Sequence, residues 1–435
     1  MLLCRPSPIP NESSRGYVLR LSEQNGLESP RWLLSHLEAG GMPLKGYPAL
    51  SSMLNQDEIA LAGTRGPIAN LARLNAPDRE HLPTRYWNTS RPRFCPCCLA
   101  QSAHWRADWD LVFVVACHNH GHRLHDQCPQ CQKPLSWDRP SIAFCQCGFN
   151  LRQATPEAAS PGAIQIAREI EWRLRQGCSE NGAIETIQGL EFEPLLKLVW
   201  FLGAYSRNAH RKPQKIVGLE TIDVAGAMVE QAMTVLSEWP KGFHRLLGEI
   251  VARQKHDASS NKLRVQFGGF YSALYKSFPG PEFVFLRQGF EDYLREHWTG
   301  QLAKRNRRLS EDVRSKHEWL SVIGAAKLLK VRVGKVKRYL SEGMLEGQLH
   351  ITGSGSGRSM GAIRRDSVET LASRMQEYLT LKGVRALLGV SRKRAYALLE
   401  QGALRPTSGP TVDGQTQWRF QRRDILAFKA LQEKI

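Results

Sequence analysis

The chain of 435 residues has no apolar run of about 18 residues, so no membrane-spanning helix is expected. No G-x-x-x-x-G-K-[ST] phosphate loop is present; the nearest stretch, GSGSGRSMG, lacks the lysine and the strand-to-helix setting. H-E-x-x-H and G-x-S-x-G are absent as well. The opening residues, MLLCRPSPIPNESSRGY, carry Arg5 and several prolines but no apolar core of signal-peptide length, so a cytoplasmic protein is expected. Acid is in short supply, with 41 Asp and Glu against 60 Lys and Arg and a formal charge of +19. The imbalance is greatest after residue 300, where about 27 basic residues face about 12 acidic ones. Few carboxylates there could hold a divalent ion, which argues against a metal-dependent nuclease. The sequence reads as a non-enzymatic protein whose basic end grips a polyanion, double-stranded DNA above all.

Sulfur, by contrast, is concentrated. Cys95 to Gly148 holds eight of the ten cysteines and five of the thirteen histidines. In a reducing compartment, short regular spacings of this kind mark metal ligands rather than disulfides. Cys95-x2-Cys98 and Cys117-x2-His120 form one pair of knuckles; Cys128-x2-Cys131 and Cys145-x-Cys147 form the other. Each pair completes a tetrahedron, predicting two structural zinc ions with closed shells. His118 or His122 in place of His120 is the open alternative for the first shell. Neighbouring thiols cannot both face one ion, so Cys97 is read as spare. With Cys4 and Cys178 it is read as a small, partly buried side chain. His104 and His125 are read as surface or packing residues. WDLVFVVACH and RPSIAFCQCG, rich in β-branched and aromatic residues, predict zinc-ribbon strands.

The remaining chain predicts a mainly α, multidomain fold. Tyr17, Val18 and Leu21, then Trp32, Leu33, Leu34 and Leu37, recur at helical spacing around Asn25-Gly26, a helix-turn-helix candidate. Residues 160–310 repeat apolar residues at three and four, interrupted by Pro240 and Phe278-Pro279-Gly280-Pro281. The last third contains a duplication. LSVIGAAKLLKVRVGKVKRYLSEGML from Leu320 matches LTLKGVRALLGVSRKRAYALLEQGAL from Leu379, and each copy reaches Arg-Arg-Asp before a further helix. In each, a short helix, a turn and a basic helix follow one another, with Ser391 as an N-cap. GSGSGRSMG and PTSGPTVDGQTQWRF are the expected hairpin wings. This resembles the winged helix-turn-helix of the MerR and excisionase type. In such a motif the second helix turns its first residues to base edges. Here those are Arg332, Lys335, Lys337 and Arg338 in the first copy, and Arg392, Lys393, Arg394 and Tyr396 in the second. Gly334 weakens the first copy's helix by about 1 kcal/mol against alanine.

The opening (Pro8, Pro10, Glu12, Ser13, Arg20, Leu21, Asn25, Gly26) and the cysteine region from Phe94 to Gly148 resemble the TniQ/TnsD family of transposition target-selection proteins. SEWPKGFHRLL and FGGFYSALYKSFPGPEFVFL look like further family landmarks, so the resemblance covers roughly residues 5–300. The family's usual bulky residue after Glu-Ser is replaced by Ser14-Arg15-Gly16. The expected layout is an N-terminal helix-turn-helix region (1–90), a tandem zinc ribbon (91–155), a helical TniQ-type middle (156–312) and two winged repeats (313–373 and 374–435). The resemblance implies recruitment of an AAA+ ATPase and a transposase. It also implies either direct DNA reading or docking, often as a homodimer, on a CRISPR RNA-guided complex. A stand-alone zinc-containing transcriptional regulator is the alternative from another class.

Overall fold

A computed structural model describes residues 3–7, 9, 11–33, 82–88, 90–176, 184–207, 216–253, 263–298, 306–352, 358–414 and 416–432. Two compact units result, Met1–Gln254 with Phe267–Phe290, and Lys255–Gln266 with Glu291–Ile435. Among the described residues, no helix is long and apolar enough to cross a membrane.

The first unit begins with α1 (Ser14–Gln24). Ser13 caps it, its Oγ accepting from the Gly16 amide at 3.3 Å, which satisfies one of the free donors of the first turn. Asn25 and Gly26 end it, Gly26 in the left-handed region at φ +66°. Tyr17, Val18, Leu19 and Leu21 are all buried. Gly16 permits this, because a Cβ there would lie 2.4 Å from Trp105 Cβ. The departure at Ser14-Arg15-Gly16 is thus a packing feature: the helix backbone rests directly on a tryptophan. The helix that should follow Gly26 is described only to Leu33; Leu34, Leu37, Pro8, Pro10 and Cys178 lie outside the described residues.

The cysteine region contains a short helix, α2 (Pro96–Gln101), and a two-stranded antiparallel pair, β1 (His122–Arg123) with β2 (Glu157–Ala158). The strands expected in WDLVFVVACH and RPSIAFCQCG do not form. Leu111 and Ala116 make only single bridges, to Trp87 and Arg123, and Phe144 bridges Asn150. The reason lies in the burial. β-branched and aromatic residues suit a buried core as well as a strand, and every residue from Leu111 to Ala116 is at most 3% exposed. This run is core on both sides, and its backbone is satisfied by other means, described below. Cys4, expected partly buried, is exposed. Nothing within the described residues packs over it as the short apolar reading required.

Helices α3 (Pro161–Gln176), α4 (Phe192–Arg207), α5 (Ile222–Leu236), α6 (Lys241–Ala252), α7 (Leu263–Ser277) and α8 (Val284–His297) form the helical part. The breaks fall where proline removes an amide: Pro240 caps α6, and Pro281 opens a single 3-10 turn before α8. Phe201 sits among Tyr205, Phe270 and Phe278, with ring centroids 4.7–5.0 Å away, and supplies much of that core.

In the second unit, α9 (Glu311–Lys316) precedes two copies of one motif. The first is β3 (Trp319–Ser321), α10 (Val322–Leu328), α11 (Val333–Ser341), β4 (Gly347–Thr352), β5 (Arg358–Arg364) and α12 (Arg365–Glu377), with antiparallel sheet order β3-β5-β4. The second is β6 (Tyr378–Thr380), α13 (Leu381–Leu388), α14 (Arg392–Glu400), β7 (Arg419–Gln421) and α15 (Arg422–Gln432), with β6 paired to β7. Ala325, Leu345, Ile363 and Val368 are core in the first copy, and Val384, Leu404, Phe420 and Ile425 take their places in the second. Strand register sets Arg364 opposite Trp319 but Gln421 opposite Tyr378. The Arg-Arg-Asp triplets are therefore displaced by one residue rather than equivalent. The wings also differ. In the first copy β4 and β5 form a paired hairpin. Among the described residues the second wing keeps only the Ser408–Arg419 bridge; Gly409 packs on the Trp418 ring and its amide donates to Asp413 at 2.9 Å, folding the segment into turns.

The turn between the two helices also has one backbone and two solutions. Gly389 takes φ +68°, and its counterpart Lys330 takes φ +56°. A side chain in that region costs about 1–2 kcal/mol. Lys330→Gly is therefore expected to stabilise the first copy by up to about 1 kcal/mol after glycine's entropy is discounted. Gly389→Ala is expected to destabilise the second copy by about 1 kcal/mol. Amide hydrogen exchange in α11 and α14 reads both.

Candidate metal centres and nucleic-acid interface

Cys95 precedes α2, which puts Cys98 one helical turn on, on the same side. Cys117 and His120 lie on the turn that leads into β1, closed by the Cys117 amide on the His122 carbonyl at 2.7 Å and by the Gly121 amide on the Cys117 carbonyl at 2.9 Å. The two segments bring Cys95, Cys98, Cys117 and His120 together, every ligand atom within 4.8 Å of the others. Cys98 Sγ lies 3.5 Å from Cys117 Sγ. His120 Nδ1 lies 3.6, 3.3 and 3.4 Å from the sulfurs of Cys95, Cys98 and Cys117. Cys128, Cys131, Cys145 and Cys147 form a second such group, with Cys128 and Cys147 sulfurs 3.6 Å apart and those of Cys131 and Cys145 3.9 Å apart. A tetrahedral ion with bonds of about 2.3 Å to sulfur sets its ligands about 3.5–3.8 Å apart, so both groups fit a metal.

Their acid–base chemistry points the same way. Hydrogen bonds from Cys95 and Cys98 pull the Cys117 thiol far down. The same contact with Cys117 pushes Cys95 up to about 12 and Cys98 higher still. Crowded thiols oppose one another's ionisation, and a divalent cation among them favours the thiolate form of each. In the second group burial raises Cys145 to about 12, while the Phe149 amide holds Cys147 down at about 7.

The other histidines face elsewhere. His118 is wedged beside Asp108 at 3.7 Å and Glu171 at 3.9 Å, and burial lowers its pKa. His104 Nδ1 meets Ser102 Oγ at 2.9 Å. His125 packs on Phe94, ring centroids 5.3 Å apart. His122 Nδ1 turns to Cys97 Sγ at 3.6 Å, so the cysteine read as spare has a partner.

Several supporting residues, Glu12 and Arg20 apart, had no signal in the sequence. The fully buried Arg93 donates to the carbonyls of Leu111, Val112 and Val114 at 3.4, 2.6 and 3.0 Å and to Glu220 at 3.2 Å. Burial lowers its pKa only to about 10, so it stays charged at neutral pH. Arg139, equally buried, lies 4.4 Å over the Trp105 ring and donates to Ser141 O at 3.0 Å. Glu12 and Arg20 form a buried bidentate pair, both contacts at 2.7 Å. At the other end of α1, Glu23 accepts from Ser141 Oγ at 2.5 Å and from the Ile142 amide at 3.0 Å. Asp126 accepts from the Ile222 amide at 3.0 Å, where the positive end of α5 favours a carboxylate.

At the second site, α14 begins at a satisfied cap, the Arg394 amide donating to Ser391 Oγ at 3.2 Å. Ala395 and Leu398 point to the core, leaving Arg392, Lys393, Arg394 and Tyr396 exposed. The Arg392 guanidinium lies 5.8 Å over the Tyr396 ring. In α11, Arg332, Lys335 and Arg338 are exposed and Lys337 is half-buried. Arg338 is already paired with Glu342 at 2.7 Å, and Lys335 lies 5.6 Å over Tyr339.

Asp110 carries a pH prediction. Burial, offset in part by the hydrogen bond from Ser13 Oγ at 2.5 Å, raises its pKa from 3.8 to about 7. A carboxyl whose folded pKa is raised favours the fold while protonated. That contribution is complete below pH about 4 and is lost as pH rises through about 7. Asp110→Asn is expected to flatten the fall in thermal stability between pH 4 and 7 and to leave the variant more stable than wild type at pH 8.

Residues 3–124 match the TniQ family model, a span that includes the first ligand group but not the second. Residues 378–430 match a helix-turn-helix domain, the second of the two copies. No curated protein matches the chain. The chain thus carries a TniQ domain over residues 3–124 and a helix-turn-helix domain over residues 378–430.

Proposed function

We propose that this protein is a non-catalytic adaptor that selects the insertion site of a transposon, binding target DNA directly and recruiting an AAA+ transposition ATPase and through it the transposase. The observation that carries the reading is the joining, in one chain, of a TniQ match to a helix-turn-helix match whose basic helix start is open to solvent. Two structural zinc ions, held by Cys95, Cys98, Cys117 and His120 and by Cys128, Cys131, Cys145 and Cys147, would brace the TniQ part. Four protein ligands leave no position for a reacting water, which supports a structural role.

Direct reading has a physical basis in α14. A helix entering the major groove presents its N-terminal side chains to base edges, and arginine pairs bidentately with guanine for about 1–3 kcal/mol of discrimination. Arg392, Lys393 and Arg394 stand there, with Tyr396 one turn further in. In the first copy Arg332, Lys335, Lys337 and Arg338 contribute mainly phosphate contacts, which strengthen binding without selecting sequence. Docking on an RNA-guided complex would need less readout from the protein itself.

Purified full-length protein, assayed on DNA across a salt series, tests this. The expected result is a site preference that Arg392→Ala, Lys393→Ala and Arg394→Ala together relax, with affinity falling about 10- to 100-fold. Wild-type binding that depends on salt but ignores sequence would overturn direct reading. Elemental analysis of exhaustively dialysed protein should find about two zinc ions per chain, and a strong chelator should lower the melting temperature of the TniQ part.

A further inference from the structure

Beside the first ligand group lies a set of donors that it does not use. Cys95, Cys97 and His122 have their ligand atoms within 4.8 Å of one another, and Cys97 Sγ stands 3.6 Å from His122 Nδ1. That edge matches the separation of about 3.6 Å expected between a sulfur and a nitrogen on one tetrahedral ion. Cys95 belongs to both sets, since its sulfur also lies 3.6 Å from His120 Nδ1. We propose that Cys97 and His122, with Cys95 as a bridging thiolate, form a further metal position next to the closed one, holding a second thiophilic divalent ion of the zinc type.

The arrangement is built by the fold rather than by loose side chains. Cys97 sits in the first turn of α2. His122 is held in β1, paired with Ala158, its carbonyl taking the Cys117 amide. The His120 and His122 rings lie nearly parallel, 15° apart with centroids at 6.1 Å, and each turns Nδ1 to a cysteine. A thiolate has lone pairs enough to bind two ions, and a shared sulfur spreads its charge over both. Three protein ligands leave a fourth position for water. Cys97 and His122 are half-buried, whereas Cys95 and Cys98 are buried. The further ion is therefore reached from solvent, exchanges more readily than the closed one, and is lost first on dialysis.

The full-length chain tests this when equilibrated with buffered free Zn2+, and separately with Cd2+, and the bound metal is counted. Wild type is expected to hold about one ion more than Cys97→Ser and than His122→Asn. Circular dichroism and melting profiles check that both variants remain folded. With 113Cd, wild type is expected to show one resonance more than either variant. The difference between wild type and variant decides the matter, so the result is separable from whether the total includes two structural zincs. Equal metal counts in wild type and both folded variants would overturn the proposal.

Discussion

Six apolar residues, Leu111 to Ala116, run through the first unit with no strand beside them, and the carbonyls this leaves must be satisfied without water. An unpaired buried carbonyl costs about 1–3 kcal/mol; of the carbonyls in this run, that of Leu111 also takes the Val114 amide and that of Val115 the Leu124 amide. The Arg93 guanidinium answers three of them and also reaches the Glu220 carbonyl just before α5. Taking an arginine out of water is itself expensive. Spreading its charge over four carbonyls, with the Asp126 carboxylate nearby raising its pKa, is what offsets that cost. Arg139 repeats the device at the second ligand group, using tryptophan faces as well as carbonyls. Where these loops form no ladder, buried guanidinium groups take its place.

Helix α1 depends on the same frame. Its N-terminal end is tied to the first group through Ser13 on Asp110 and the Ser13 amide on the Trp105 carbonyl at 2.7 Å. Its C-terminal end is tied to the loop before Cys145 through Glu23. The helix is thus a strut between the two ligand groups. The family match ends at residue 124, yet one of its helices is anchored at Ser141 and Ile142. The matched segment is completed by the second group, and the two are one folded body within the first unit. The residues that carry the resemblance have local reasons as well. Glu12 and Arg20 neutralise each other in the interior, and Asn25 ties down the leading segment through Cys4, donating to its carbonyl at 2.9 Å and accepting from its amide at 3.0 Å.

What could be read in the sequence follows from this. Ligand cysteines are rare, and their spacing is set by single turns, so the donors of both groups stood out before any coordinates. The Ser391 cap and the helix, turn, helix order of the copies were equally local. Arg93 and Arg139 were not legible, because a basic residue before a cysteine motif looks the same exposed or buried. The run from Leu111 was misread because β-branched composition reports burial as readily as strand. The second wing was misread because Gly409 meeting Trp418 is a tertiary contact. Cys97 was set aside by a sound rule about adjacent thiols, which says nothing of a histidine arriving from β1.

The two copies in the second unit show how one motif can divide a task. Their caps are matched, Ser321 accepting from the Gly324 amide at 2.9 Å and Thr380 from Gly383 at 3.3 Å. Divergence is confined to the elements that face outward. In the first copy, α11 has Gly334 in its first turn, an arginine engaged by Glu342 and a lysine laid on Tyr339, while its wing is a full hairpin with six paired positions. In the second, the wing is reduced to turns, but α14 starts at a serine cap with three successive cations in solvent. An arginine that must leave a salt bridge to meet a base loses part of what it gains, although an exposed pair is worth at most about 1 kcal/mol. Of the two helix starts, that of the second copy is therefore the more open row of cations.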